Sequence, residues 1–140
     1  MRITLVLPFA AAFLCACAAA PPAPKETSLI GKWVYVDAKG CADSYTFRSD
    51  GTFSTSSGSG KEALEGSFSV EGPANAGAPF KVVRTIKSGN GRPDCGGRVG
   101  ASVGKTDTRY VAFAPQLDEI IVCSTPDTSQ CFGPFKRTSS

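Results

Sequence analysis

The sequence predicts an all-β domain of short antiparallel strands, disulfide-stapled, in the form of a small barrel or a sandwich. Three observations predict it. Short runs of alternating apolar and polar residues recur along the chain, separated by turns rich in Gly, Pro and Asp. No stretch carries the 3.6-residue apolar periodicity of a long helix. Four of the six cysteines (Cys41, Cys95, Cys123 and Cys131) fall within this strand-rich part. An even number in an exported domain reads as a disulfide framework.

The chain opens on an address segment. Met1-Arg2 is a short basic start, residues 3–14 are an apolar run, and small residues follow at once. This is the layout of a secretory signal peptide. The run is too short to cross a bilayer, which takes about 20 apolar residues, and Pro8 interrupts it. Leu14-Cys15-Ala16-Cys17 resembles the lipobox of bacterial lipoproteins, in which Leu stands three before the acceptor Cys and a small residue stands just before it. The resemblance implies cleavage before Cys17, a diacylglyceryl thioether on Cys17 and N-acylation of the new terminus. Such multi-chain anchoring is stable where a single acyl chain is marginal. Ala18, at the position where Asp would imply inner-membrane retention in that family, implies the outer membrane, with the domain facing the periplasm. An ordinary secretory cut near residues 18–20 is disfavoured by Pro21.

Three segments follow from this reading: a signal peptide at 1–16, an Ala/Pro-rich tether at 17–28 and one domain at 29–138. Pro21, Pro22 and Pro24 hold the tether in an extended, polyproline-like path. Removing residues 1–16 leaves 124 of the 140 residues, with 14 basic against 12 acidic side chains. That length suits one domain with a modest core, and that balance gives no ground for nucleic-acid binding. The chain has no His, which removes the commonest general acid–base and metal ligand together.

The strands follow in order. Residues 29–37 form the first, with Trp33 and Tyr35 on one face and Val34 and Val36 on the other. Residues 44–48 alternate, with Tyr45 and Phe47 on one face. Ser49-Asp50-Gly51 turns the chain into 52–55, since Asp-Gly between alternating runs is a strong hairpin signal. Residues 56–60 read as a loop tip, and 61–70 contain the next strand. Residues 80–86 carry Phe80, Val82 and Ile86 inward, and 88–97 are a Gly-rich loop holding Cys95. Residues 98–103 read as a weak strand, 108–114 and 119–123 as firm ones. Residues 131–137 are the last strand, with Pro134 marking an edge or an end. The count is eight or nine.

A meander of this kind selects one disulfide connectivity. The loops holding Cys41 and Cys95 fall at one end, while Cys123 and Cys131 face each other across a hairpin placed at the opposite end. Facing positions in such a hairpin have Cα atoms about 4.5–5.5 Å apart, within disulfide range. The expected pairs are Cys41–Cys95 and Cys123–Cys131.

Gly31-Lys32-Trp33 at the head of the first strand and Arg137 on the last resemble lipocalin-like (calycin) barrels. Their first strand opens with G-x-W, and a late basic residue packs over that Trp. The Asp50-Gly51-Thr52-Phe53 stretch is similar to small bacterial members. The resemblance implies an up-and-down barrel of eight or nine strands closed at one end by Gly31, Trp33 and Arg137. A cation over the indole adds about 0.5–2 kcal/mol.

Catalytic signals are poor, and the expectation is a non-enzyme without cofactor or metal. Glu62, Glu65 and Glu71 read as solvated charges, and the glycines of 88–97 as turn formers around Cys95, not a phosphate loop. Inward aromatics are numerous enough to fill so short a barrel, which favours a protein-binding or structural envelope role, inhibitor-like by analogy with small periplasmic barrels. The alternative is a binder of a small apolar ligand of the lipocalin kind. The expected partners are the membrane, through Cys17, and an envelope or exogenous protein.

Overall fold

The computed structural model describes residues 28–58, 62–72, 79–100 and 102–138. The leader, the lipobox with Cys17 and the tether up to residue 27 lie outside the described residues.

Eight strands run in chain order: β1 (Gly31–Val36), β2 (Ala42–Phe47), β3 (Thr52–Ser57), β4 (Ala63–Glu71), β5 (Phe80–Gly89), β6 (Thr106–Phe113), β7 (Glu119–Cys123) and β8 (Cys131–Thr138). Each pairs antiparallel with the next, and β8 returns to β1, so the sheet closes as an up-and-down barrel. Closure removes the free edges that an open sheet must protect. The period-two alternation places the core. On β5, Phe80, Val82, Arg84 and Ile86 point inward and are buried, while the residues between them are more exposed.

The Asp50-Gly51 turn behaves as its chemistry requires. Asp50 Oδ1 accepts from the Thr52 amide (2.9 Å) and hydroxyl (2.6 Å), and Gly51 has φ of +78°, where an L side chain is strained.

The two ends of the barrel differ. At the end carrying the β2–β3, β4–β5 and β6–β7 connections, aromatic rings fill the interior. Phe47 meets Phe68 edge-on (centroids 4.9 Å apart), and Phe80 stacks on Phe113 at 5.5 Å. Phe47, Phe80 and Phe113 are buried and Phe68 is half-buried, and each fully buried ring contributes about 1.5–3 kcal/mol. The other end carries the β1–β2, β3–β4, β5–β6 and β7–β8 connections and both disulfides. Cys41–Cys95 and Cys123–Cys131 are bonded, with Cα atoms 5.8 and 4.0 Å apart.

Three expectations are corrected. Residues 98–103 contribute no named strand: Val99 makes one isolated bridge to Pro93 within the β5–β6 loop. With that strand gone, the parity of every later connection reverses. The Cys123–Cys131 hairpin therefore sits at the same end as Cys41–Cys95, not the opposite one. Pro134 is not at an edge, because β8 is paired on both sides. The β7–β8 register shifts between Ile120 and Val122, and Pro134 stands opposite that shift, where no ladder donor is needed. The shift also lets Phe132 and Phe135, three apart, both reach the core.

Candidate ligand-binding site

The filled end is sealed by the Gly31, Trp33 and Arg137 group. Trp33 is fully buried, and Arg137 is its direct cross-strand partner on β8. The guanidinium lies 4.3 Å from the indole centroid. It donates to the carbonyls of Ile30 (2.8 Å) and Ser28 (2.6 Å), and the Trp33 indole donates to the Leu29 carbonyl at 2.8 Å. A Cβ at residue 31 would stand 3.3 Å from the Arg137 Nη1 atom, and Gly31 has φ of +130°, so position 31 requires glycine. These three residues form a plug, and none of them lines the cup at the other end.

The disulfide-bearing end opens into a cup of about 690 Å³. Its floor is polar. Arg84, 6% exposed, projects from the middle of β5 and pairs with the carboxylate of Asp107 on β6. Arg109 Nη1 shares that carboxylate at 2.8 Å. The Arg84 guanidinium also lies 5.5 Å from the Tyr45 ring centroid and 5.3 Å from that of Phe53. Burial opposes its charge, but Tyr45 and Asp107 more than offset that, and its pKa is raised. Burial also pushes the Tyr45 phenol up, against the pull of Arg84 and Arg109.

Among the described residues, two buried polar atoms on this floor have no hydrogen-bond partner: Arg84 Nε and Thr55 Oγ1. Thr55 is 7% exposed, and both residues line the cup. A buried, unsatisfied polar group costs about 1–3 kcal/mol, so a pair of them in residues that line one cavity calls for an explanation.

The rim carries acids. Glu62, just before β4, is 9% exposed. It is not the solvated charge expected, because the β5–β6 loop folds over it: a Cβ at Gly100 would collide with its carboxylate. Burial raises the Glu62 carboxyl above its ordinary range, and Asp94 and Asp43 raise it further. Asp43 accepts a short bond from the Ser57 hydroxyl, which itself accepts from the Cys95 amide at 2.7 Å. In ring order β1/β2 and β5/β6 are opposite each other. The Cys41–Cys95 bond therefore straps the long β5–β6 loop across one side of the mouth. The glycines of that loop act unevenly: Gly91 and Gly97 take positive φ, Gly89 and Gly96 do not.

None of the cup's charged residues was singled out from the sequence as a binding group. The signal for Arg84 was present, since alternation through Phe80, Val82 and Ile86 puts residue 84 inside. Arg109 follows the same parity into Val111 and Phe113 within a strand read as 108–114, whereas Asp107 falls outside that span because β6 begins at Thr106. Among the described residues, no three His, Cys, Asp or Glu side chains converge as a metal site. Compared with protein-family models, curated proteins and solved structures, the chain has no match.

Proposed function

We propose that this chain is a non-catalytic binding protein of the cell envelope whose barrel mouth takes a small polar ligand. The observation that carries this is the cup: about 690 Å³, within the roughly 300–1,000 Å³ of small-molecule sites, with Arg84 Nε and Thr55 Oγ1 buried and unpartnered on its floor. The sequence favours a protein-binding or structural role on the ground that so short a barrel fills itself. Aromatic rings fill one end of it, and the cup at the other end favours the ligand reading over that order. Its polar floor also turns the expected apolar ligand into a polar one.

Arg84 supports the reading a second way. An ion pair in a barrel interior is no better for stability than a well-packed apolar side chain, and often worse. A ligand that uses the guanidinium accounts for its place between Val82 and Ile86. Anchoring through an acylated Cys17, as the lipobox resemblance implies, completes the proposal, and Cys17→Ser then releases the protein from membranes. Continued tight membrane association of that variant refutes the anchor.

The ligand reading is tested by thermal unfolding of the protein in a low-molecular-mass filtrate of the cell envelope. A ligand at about a hundred times its Kd stabilises by roughly 2.7 kcal/mol. Wild type should gain a higher midpoint, and Arg84→Met should not. No shift in wild type, or an equal shift in both, contradicts the proposal. One observation favours a protein contact at the same end: Val99 and Val103 on the β5–β6 loop are 63% and 61% exposed.

A further inference from the structure

The cup carries two poles of opposite charge. On the floor, Arg84 and Arg109 share the single carboxylate of Asp107, which leaves one positive charge in excess, and the buried Nε of Arg84 has no partner. Toward the rim stand Glu62, Asp43 and Asp94. Asp94 is paired with Arg98 at 3.5 Å. Among the described residues, no cation stands within ion-pair distance of Glu62 or Asp43. The wall between the poles is apolar, with Leu64 9% and Ile86 1% exposed, and Tyr35 and Phe132 also face the cavity.

Each simple ligand class leaves part of this unmatched. An apolar ligand would bury both poles unpaired, which is costly for charged groups. A plain anion satisfies the floor and is repelled at the rim, and a plain amine does the reverse. A ligand carrying an anionic and a cationic group, with an aliphatic middle, matches both. The poles stand at different depths. Glu62 precedes β4, whereas Arg84 pairs in register with Phe68, well along that strand. A single amino acid, with its two charges on one carbon, spans this poorly.

We propose that the cup binds a short peptide with free termini, its C-terminal carboxylate toward Arg84 and Thr55 and its N-terminal ammonium toward Glu62 and Asp43. This rests on the ligand reading above and names the class that the site would select. The Thr55 hydroxyl and Arg84 Nε each supply a donor that no protein atom uses, and a carboxylate has acceptor capacity for both.

The test is calorimetric titration of the protein at low salt with trialanine, N-acetyl-trialanine and trialanine amide. Trialanine should bind, and blocking either terminus should weaken binding by about tenfold or more. Glu62→Gln should shrink the difference between trialanine and its N-acetyl form, and Glu62→Gln with Asp43→Asn should erase it, while the affinity for the N-acetyl form does not fall. Arg84→Met should likewise shrink the difference between trialanine and its amide, and retained Trp33 emission shows that each variant is folded. Equal affinity for trialanine and N-acetyl-trialanine overturns the peptide assignment and leaves an anion-binding cup. Failure of all three peptides, with the envelope filtrate still raising the midpoint, overturns the peptide assignment alone. Failure of both peptides and filtrate overturns the ligand reading with it.

Discussion

Arg84 shows most clearly how a single residue can trade stability for a site. It is buried in the barrel interior with its Nε unpartnered, and Asp107 has Arg109 as a second partner. Arg84→Met therefore leaves no carboxylate stranded. It should leave the protein as stable as wild type or more so, by up to about 2 kcal/mol, as measured by urea unfolding. Glu62 makes a related prediction in pH. Its carboxyl is raised in the folded state, first by burial and then by Asp94 and Asp43, against Arg84 and the Gly100 amide. The folded protein thus holds that proton to higher pH than the unfolded chain does, and stability falls as pH rises through the window between the two values. Glu62→Gln should melt higher than wild type near neutral pH, with the gap closing below the ordinary carboxylate range. At the plug, Arg137→Ala removes the cation over Trp33 and two carbonyl partners. It should cost about 1–3 kcal/mol and shift the emission of Trp33, the chain's one tryptophan, to the red. The plug was legible from G-x-W and a late Arg. The cup was not, because Arg84 reads as one charge in an apolar run until its parity is followed.

At the level of elements, alternation located every strand of the barrel and failed where it was faint. Residues 98–103 offered two valines spaced for a strand, but Val99 and Val103 are both exposed and lie on a loop held by Cys95. That loop is a strap, and its disulfide closes a much longer segment than the hairpin bond does. The sequence separations are 54 for Cys41–Cys95 and 8 for Cys123–Cys131. Chain-entropy reasoning then gives contributions of roughly 4 and about 2.5 kcal/mol. Replacing Cys41 and Cys95 together by Ala should lower stability more than replacing Cys123 and Cys131, as denaturant midpoints would show. It should also loosen the cover over Glu62. Pro134 misled for a physical reason: proline in a strand signals either an edge or a bulge, and only the partner strands tell which.

For the whole molecule, the central feature is an asymmetry along the barrel axis. One end is packed with aromatic rings and sealed by Arg137 over Trp33; the other is a strapped, polar cup. Fold class, strand order and cysteine pairing could be read from a chain whose closure was implied by resemblance alone. How full the interior is could not, because it depends on which inward positions hold polar residues such as Thr55 and Arg84, both of which line the cup. The most direct test of the ligand-binding cup is native mass spectrometry of the protein equilibrated with the envelope filtrate, wild type beside Thr55→Phe, whose added ring occupies the cup. Wild type should retain a low-mass adduct that Thr55→Phe, folded by its Trp33 emission, does not. A wild-type protein without adduct, or an adduct retained equally by both, would contradict it.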